Sequence, residues 1–314
     1  MEEEEEQNQG VISPGTLIEQ YTIGSLLLST CSNAEIYECT KQQSRRKFIA
    51  KLVPKDVDNE IADSEEKALQ TFNHTYLIHA DSIKEYHTNY RIFFFPRCLE
   101  DLLDRIQNSE NNLTEEWCAR FFYLVAEGIL YIHNQNYVHL DIKPENILIY
   151  INSSNMEEPR IIDFGFCTEV DEDDQMIQNT EPKGTPNYVA PEILNGDPYT
   201  FSADAWSYGI TLYTALTKNY PWLGIEYDEE KQYTEEDFEN LSDLLDEHQE
   251  LSDSCKDILC QLLSFDPETR IPFEDILQHP WFEEYYPEQQ RKEELQNRKL
   301  ADAFHTEDDI IIPQ

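Results

Sequence analysis

The sequence predicts an α+β protein of two lobes: a small antiparallel β-sheet lobe with one helix, then a larger and mainly helical lobe. Two observations support this fold class. Short β-rich runs separated by polar turns lead the chain, as in an antiparallel meander. A long helical pattern follows Thr114, and 314 residues are enough for two packed lobes around a cleft, with a sizeable core in at least one of them.

The small lobe is predicted to combine four strands and one helix. The strands run Tyr21–Leu28, Glu35–Cys39, Lys47–Val53 and Arg91–Phe95. Between Asn59 and Asn73, the apolar residues Ile61, Leu69 and Phe72 recur at helical spacing on one face. This pattern predicts a helix between the third and fourth strands.

A carboxylate, Glu65, lies on the apolar face of that helix. A carboxylate on a buried face must find a cationic partner or become neutral. Lys51 on the preceding strand is the candidate partner. Glu66 is the alternative if the helix is rotated by one residue, although its face is more polar. The sequence therefore predicts an ion pair between strand and helix.

The large lobe is predicted to open with a long helix. Thr114, followed by Glu115 and Glu116, offers a hydroxyl cap and acids in the first turn. The apolar stripe of this helix consists of Trp117, Phe121, Leu124, Val125 and Ile132. The helix leads the chain to a polar segment that carries the candidate chemistry.

Two short apolar runs, Ile147–Ile149 and Arg160–Ile162, predict a hairpin. The start of the first strand of an antiparallel pair lies beside the end of the second, so Asn146 and Asp163 should converge. An amide oxygen and a carboxylate suit Mg²⁺. Asp141 is close enough to share this site and free to accept a proton.

These residues resemble the catalytic core of the eukaryotic protein kinase family. His139-Leu140-Asp141 and Asp163-Phe164-Gly165 are similar to its signature pair. Gly184 to Glu192 resembles the end of a kinase activation segment, most like the calmodulin-dependent, Aurora and polo-like groups. Lys143, in a Lys-Pro-Glu-Asn setting, is typical of serine/threonine kinases. The resemblance covers roughly residues 20 to 282.

The resemblance implies a two-lobed protein kinase fold, ATP and Mg²⁺ as cofactors, and transfer of the ATP γ-phosphoryl group to Ser or Thr hydroxyls of proteins. Lys51, held by Glu65, would bind the α and β phosphates. The implied catalytic residues are Asp141, Lys143 and Thr185, and the implied Mg²⁺ ligands are Asn146 and Asp163.

An adenine pocket between the lobes is also implied by the resemblance. Phe95 would guard its back, and the backbone of Pro96 to Leu99 would bond the adenine edge. The other predicted nucleotide contacts are Leu28, Ser29, Ile36, Ala50, Cys98 and Leu148.

The loop that would cover the phosphates departs from the family pattern. Ser29, Cys31 and Ala34 stand where three glycines are expected. Glycine serves there because the backbone must approach the phosphates with no side chain in the way. Cys31 should therefore keep the loop away from the phosphates or change the loop geometry. This departure favours an alternative function, a pseudokinase scaffold with weak or no catalysis. A third hypothesis is that the protein is an acidic module that binds basic proteins. The negative net charge of the chain is the only feature that this hypothesis requires.

Two further departures concern activation. Leu140 replaces the arginine that, in kinases that have it, clamps a phosphorylated residue of the activation loop. Glu181 occupies the place where related groups carry a phosphorylatable threonine, with Thr180 beside it as a candidate phosphosite. Both changes predict a loop that is ordered without phosphorylation.

Structural roles are implied for several residues outside the reaction. Asp204 would bond the backbone of the catalytic loop, and Arg270 would pair with Glu192. His139 is predicted to be a structural hydrogen bonder. Glu145, beside the substrate groove, would favour arginine near the target residue.

The chain is strongly acidic, with a formal net charge of −41 and a pI near 4.3. Such a surface repels phosphate backbones and anionic lipids, so we predict no nucleic-acid or membrane partner. It would attract basic protein substrates, although a merely hydrated surface explains the charge equally well. We predict a monomer.

Domain limits and location follow from composition. We predict an acidic disordered tail at 1–15, the kinase domain at 16–282, divided near 97, and a polar tail at 283–314. Basic residues do not dominate the second tail, so calmodulin binding is not predicted. Seven scattered cysteines and an N-terminus without a signal peptide predict a cytoplasmic location, with the nucleus as an alternative.

Overall fold

Residues 12–304 are described in the computed structural model, except 30–33, 45, 56–58, 88–89, 171–175, 179–182, 226–227, 229–230 and 239. Most of the predicted N-terminal tail, together with Cys31, Thr180 and Glu181, lies outside the described residues. Ile12, which the sequence assigns to that tail, is buried in the core of the small lobe because its side chain completes an apolar cluster there.

The small lobe is built on a six-stranded antiparallel sheet in the order β1-β2-β3-β4-β6-β5. Its strands are β1 (Leu17–Ile18), β2 (Tyr21–Ser29), β3 (Glu35–Lys41), β4 (Lys47–Pro54), β5 (Ser82–Tyr86) and β6 (Tyr90–Pro96). The predicted meander is therefore confirmed. Strand β5 is an addition, and its mixed polar sequence on the sheet edge carries too weak an apolar pattern to predict it.

Helix α1 (Asn59–Thr71) lies between β4 and β5 in the chain, as predicted. Its buried side chains are Ala62, Glu65 and Ala68, and Phe72 follows just after the helix. These residues recur at spacings of three or four, which places Glu65 in the middle of the buried stripe. The predicted apolar residues Ile61 and Leu69 flank that stripe and are only partly buried.

The two faces of the small-lobe sheet serve different purposes. One face carries its own core, in which Tyr21 stacks on Phe94 with ring centroids 3.9 Å apart, next to Ala50 and Tyr37. The other face packs toward α1 and the large lobe. Since side chains alternate along a strand, each β4 residue is committed to one face or the other.

The large lobe is mainly helical. Its helices are α2 (Leu102–Asn108), α3 (Glu115–His133), α4 (Pro191–Leu194), α5 (Ser202–Thr217), α6 (Leu241–Glu247), α7 (Asp253–Leu262), α8 (Phe273–Ile276), α9 (Pro280–Tyr285) and α10 (Glu288–Phe304). Thr114 caps α3 as predicted, since its hydroxyl accepts from Trp117 N at 3.2 Å. Helix α5 is buried on nearly all sides and forms the centre of this lobe.

Two small sheets shape the edge of the large lobe that faces the cleft. Their strands are β7 (Glu100–Asp101), β8 (Tyr137–Val138), β9 (Ile147–Ile151), β10 (Glu157–Ile161) and β11 (Thr168–Glu169). Strands β9 and β10 pair antiparallel, with Ile147 opposite Ile161. This confirms the predicted hairpin. Strand β8 pairs with β11, which ties the segment after the hairpin to the chain before it.

The predicted polar tail at 283–314 contains a helix that contacts the domain. In α10, Glu294 accepts from Arg120 Nε of α3 at 2.9 Å, and Arg298 lies 3.1 Å from Glu158 of β10. The helix docks through charged side chains, whereas Leu295 and Leu300 are exposed. A search for an apolar stripe therefore does not reveal it. Among the described helices, none combines the length and apolar character that a bilayer crossing requires.

Candidate active site

The loop between β8 and β9 is held by Asp204 at the start of α5. Its carboxylate accepts from the backbone N–H groups of His139 and Leu140, both at 2.8 Å, and from His133 Nε2 at 2.8 Å. Burial alone would raise the pKa of Asp204, but His133, the charge of His139 and a backbone donor lower it. The predicted contact is confirmed, and a buried anion fixes the loop.

His139 closes a second set of contacts within the same loop. Its Nδ1 accepts from the backbone N–H of Asp141 at 3.2 Å, which leaves Nε2 to donate to the carbonyl of Ile162 at 3.2 Å. The ring therefore connects the loop to the end of the hairpin. The prediction of a structural role for His139 is confirmed.

Asp141 is buried, and each of its carboxylate oxygens has a side-chain partner. Oδ2 accepts from Asn146 Nδ2 at 2.7 Å and lies 2.9 Å from Lys143 Nζ. Oδ1 accepts from the hydroxyl of Thr185 at 2.6 Å, and that hydroxyl accepts from Lys143 Nζ at 2.6 Å. The structure thus brings together the three predicted catalytic residues and one predicted metal ligand.

Asp163 lies at the other end of the hairpin, close to Asn146. The backbone N–H of Ile162 donates to the carbonyl of Asn146 at 3.0 Å, so the two strand ends meet. Asp163 has a left-handed backbone conformation, with φ of 63°. A non-glycine residue in this region costs conformational energy, and such strain tends to occur at functional sites.

Lys51 bridges the sheet and helix α1 as predicted. Its Nζ lies 2.7 Å from both carboxylate oxygens of Glu65 and 3.7 Å from Asp163 Oδ1. Burial disfavours the charged ammonium, but the attraction of Glu65 and Asp163 outweighs it and raises the pKa of Lys51 to about 12. The alternative partner, Glu66, is instead 3.2 Å from Arg91.

Phe164 and Gly165 hold α1 in the position that allows this ion pair. Phe164 is fully buried, with its ring edge-on to Phe72 at 5.3 Å. A Cβ on Gly165 would lie 2.6 Å from Ile61 Cγ2, so only glycine permits this close approach of the helix. The orientation of α1 therefore depends on the turn that follows Asp163.

The predicted nucleotide contacts of the small lobe are mostly on one face of the sheet. Ile36 is opposite both Leu28 and Lys51, and residues opposite each other in antiparallel strands point to the same face. Phe95 is opposite Ile49, two residues from Lys51. This face therefore carries Leu28, Ile36, Lys51 and Phe95, with Ser29 following at the end of β2.

The adenine-contact prediction for Ala50 is wrong. Ala50 is opposite Tyr37 and Phe94 and is fully buried in the separate core on the far face of the sheet. Ile49 occupies the face of Lys51 instead, because strand alternation puts residues 49 and 51 on one side. The family resemblance implied an alanine at the adenine-facing position of this strand, whereas the structure has the larger Ile49 there.

Two further predicted nucleotide contacts, Cys98 and Leu148, lie on the large-lobe side of the cleft. The backbone N–H of Leu99 donates to the carbonyl of Ile149 at 2.9 Å, so the segment that contains Cys98 runs beside β9. Leu148 lies on β9, opposite Arg160. Cys98 and Leu148 are both partly buried. The geometry places them at the boundary between the lobes.

The site has a donor set that suits a hard divalent cation. The carboxylate of Asp163 is partly exposed, with 43% of its side chain accessible to solvent, and its pKa is lowered because the attraction of Lys51, His139 and Lys143 outweighs desolvation. The amide nitrogen of Asn146 is committed to Asp141, which leaves its oxygen as the free ligand atom. No cluster of three His, Cys, Asp or Glu side chains among the described residues could hold a metal unaided. A Mg²⁺ ion here would need additional oxygen ligands, such as phosphates.

The segment that follows the hairpin approaches the catalytic loop closely at Gly184 and is tied to its own start by Lys183. Gly184 has φ of +112°, and a Cβ there would lie 2.7 Å from the carbonyl oxygen of Leu140. Lys183 Nζ donates to the Thr168 hydroxyl at 3.0 Å. Sequence reasoning missed Lys183, although a lysine next to Gly184 in an acidic segment was a usable signal.

The end of this segment is fixed by a buried ion pair. Arg270 Nη1 and Nη2 lie 2.8 and 3.1 Å from the carboxylate oxygens of Glu192, and both side chains are almost inaccessible to solvent. This bidentate geometry confirms the predicted pair. It joins α4 to the loop before α8.

Comparison with known proteins agrees with this geometry. Residues 28–282 match the family described as protein kinase domain. The chain is 31% identical to myosin light chain kinase 2, skeletal/cardiac muscle, of Rattus norvegicus over 77% of this chain and 39% of that protein. It is 29% identical to serine/threonine-protein kinase DCLK3 of Mus musculus over 88% of this chain and 34% of that protein. It is 35% identical to serine/threonine-protein kinase 17A of Oryctolagus cuniculus over 56% of this chain and 43% of that protein. The chain thus spans less than half the length of these relatives.

Proposed function

The chain belongs to the protein kinase family, in its serine/threonine division, and we propose that it is an active enzyme that phosphorylates Ser or Thr residues of proteins. The observation that carries this proposal is the continuous set of contacts around Asp141. Asn146, Lys143 and Thr185 all bond its carboxylate, and Lys51 lies between Glu65 and Asp163.

The proposed chemistry divides between positioning and charge. When bound, ATP supplies the transferred phosphoryl group and Mg²⁺ supplies positive charge against its oxygens. Asp141 orients the substrate hydroxyl and accepts its proton, while Lys143 steadies the γ-phosphate and Thr185 holds both side chains in place. Asn146 and Asp163 would hold the metal ion. Because these groups are already placed, little reorganisation accompanies the reaction.

Lys51 would hold the α and β phosphates in this scheme, and Glu65 keeps its ammonium aimed into the cleft. The adenine ring would lie between Leu28, Ile36 and Ile49 above and Leu148 below, with Phe95 at the back and Ser29 at the loop edge. Ile49 takes the place that the family resemblance gave to Ala50. The backbone at Cys98 is the proposed hydrogen-bonding edge.

Activity without activation-loop phosphorylation is part of the proposal. Leu140 cannot bind a phosphate, and other contacts support the segment. Ile177 and Tyr199 exchange backbone hydrogen bonds of 2.8 and 3.1 Å, and Lys183 bonds Thr168. These contacts need no phosphate. We expect phosphatase treatment to leave the activity unchanged, and a collapse of activity would contradict this part.

A preference for basic protein substrates is also proposed. Glu145 Oε2 is buried without a hydrogen-bond partner among the described residues. A carboxylate oxygen of this kind favours binding of a cationic side chain, because an unpaired buried anion is costly. Peptides with and without arginine near the target residue would test this, and equal kcat/KM values would contradict it.

The decisive test is transfer of labelled phosphate from ATP to a mixture of basic peptides. Replacement Asp141→Asn should lower kcat by roughly 10²–10⁴-fold, the usual scale for a lost acid-base group. The second candidate, a pseudokinase scaffold, is favoured by the missing glycines at Ser29 and Ala34. Equal label with the native protein and the variant would support that scaffold. Titration of ATP with and without Mg²⁺ then tests nucleotide binding separately.

A further inference from the structure

A cavity of about 620 Å³ lies between α10 and the large lobe, apart from the proposed nucleotide site. Its walls come from α3, the β9–β10 hairpin, the segment before β5, and the C-terminal residues from Tyr286 onward. This volume is in the range of cavities that hold small organic ligands. None of the residues proposed for phosphoryl transfer lines it.

Aromatic rings form much of the lining. Tyr76 and Tyr123 come from the catalytic domain, and Tyr286 comes from the start of the C-terminal segment. The guanidinium of Arg291 lies 4.7 Å from the ring centroid of Tyr123, and that of Arg298 lies 5.9 Å from the ring centroid of Tyr76. Two guanidinium groups thus already lie against ring faces at the edge of the cavity. The negative electrostatic potential of an aromatic ring face favours such contacts with cations.

Almost every charged group of the lining has an oppositely charged partner. The pairs are Arg120 with Glu294 at 2.9 Å, Arg298 with Glu158 at 3.1 Å, Arg291 with Glu283 at 2.9 Å and Lys292 with Glu288 at 2.5 Å. The exception is Glu127 on α3. Within the described part of the chain, Glu127 makes no hydrogen bond or ion pair.

Glu127 is partly buried, and its burial raises the pKa of the carboxyl group although the positive charge of Arg291 opposes the shift. The cavity lining carries four acidic and four basic side chains, and its ion pairs extend to one further acid, Glu283, and one further base, Arg160. Each basic side chain of the lining bonds another acid, so none of them contacts Glu127 directly within the described part of the chain.

We propose that this cavity binds an organic cation, whose ammonium or guanidinium group bonds the Glu127 carboxylate while its apolar part packs against the tyrosine rings. A charged hydrogen bond to Glu127 would satisfy the unpaired group. Packing of its apolar part against Tyr123 and Tyr76 would add to it.

Ligand binding at this place would also secure α10. Half of the cavity wall belongs to the C-terminal segment, so a ligand that contacts both walls binds the docked helix better than the undocked one. The docking contacts of α10 are polar and partly exposed, which makes the docked position sensitive to such a ligand. We expect bound cation to slow proteolytic cleavage within α10.

The experiment uses the full-length chain, calorimetric titration at physiological salt, and three probes: 2-phenylethylamine, spermidine and the neutral isostere 2-phenylethanol. Saturable binding of at least one amine and none of the alcohol is expected. Glu127→Gln should weaken amine binding at least tenfold, with folding intact because the variant removes an unpaired buried charge. The matched control Glu288→Gln, at a paired acid of the same cavity, should leave binding unchanged.

Two outcomes would overturn the proposal. Equal amine affinity in the native protein and in both variants would show that the acidic surface attracts amines without a defined site. No saturable amine binding at millimolar concentration would show that Glu127 is not a cation ligand. Neither outcome depends on phosphoryl transfer, so the two proposals can fail separately.

Discussion

Lys51 Nζ lies 2.7 Å from each carboxylate oxygen of Glu65, across the gap between β4 and α1. This pair is the only link in the described site that joins the small-lobe sheet, the helix and, through Asp163 at 3.7 Å, the hairpin of the large lobe. A cation shared by two acids requires all three elements to be in position together.

Replacement Lys51→Met should lower the rate of phosphoryl transfer at least about 10²-fold, because the phosphates lose their cation. It should also lower the free energy of unfolding, since Glu65 keeps a buried carboxylate without a partner. The double variant Lys51→Met/Glu65→Leu should regain stability but not activity. Urea denaturation and the transfer assay measure the two effects, and recovery of activity in the double variant would contradict the assigned role.

Replacement Gly184→Ala should disrupt the contact between the activation segment and the catalytic loop. The added Cβ would meet the carbonyl oxygen of Leu140 at 2.7 Å, so the two segments must separate. Gly196→Ala is the matched control, because Gly196 also has a positive φ but has no atom within 4 Å of the added Cβ.

Both variants carry backbone strain of roughly 1–2 kcal/mol. We expect Gly196→Ala to retain full kcat, whereas Gly184→Ala should lose at least about tenfold, since a 1 Å displacement of catalytic groups has large effects on rate. Initial-rate measurements at saturating peptide give the comparison. Similar rates for the two variants would mean that the close approach at Leu140 is not required.

Replacement Glu192→Gln should be strongly destabilising. It leaves the buried guanidinium of Arg270 without its counter-charge, and breaking such a pair costs about 3–5 kcal/mol. The exposed pair of Lys67 and Glu169 provides the control, and Glu169→Gln should leave the free energy of unfolding almost unchanged. Chemical denaturation curves of the two variants would contradict this if their midpoints shift equally.

The stability of the protein should fall in mild acid because of His74. Burial, with the positive charges of His79, Arg160 and Arg298, lowers the pKa of His74 from its usual 6.5 to about 4. The unfolded chain therefore takes up a proton below about pH 6.5, whereas the folded chain does so only near pH 4. The contribution is complete above pH 6.5 and is lost as the pH falls toward 4.

His74 is partly exposed, so we expect a contribution of about 1–2 kcal/mol after allowance for solvent screening. Urea midpoints at pH 7.5 and pH 5 should differ less in His74→Gln than in the native protein. An unchanged difference would assign the acid sensitivity to other groups.

Much of the candidate site could be predicted because its residues carry local signals. The hairpin was visible as two short apolar runs, and its antiparallel geometry alone brings Asn146 beside Asp163. Glu65 was identified because a carboxylate on an apolar helix face needs a partner. These features depend on the chain over short distances, where periodicity and spacing are informative.

The choice of strand face was harder to predict. Alternation shows that Ile49 and Lys51 share one side of β4 and that Ala50 has the other, but it does not show which residues meet the nucleotide. Packing decides this, because Ala50 is fully buried in a core with Tyr37 and Phe94 on the face away from Lys51.

By itself, the sequence determined the order of the chemical groups and the acidic character of the chain, which follow from residue type. It also determined the two-lobed architecture, which follows from the family motifs that the chain carries. Only the tertiary structure decided that Ile49 faces the cleft and that α10 lies against α3. The contact between Arg120 and Glu294 joins residues 174 positions apart. A charged pair so distant in the chain leaves no periodic pattern, and its formation depends on where the intervening elements pack.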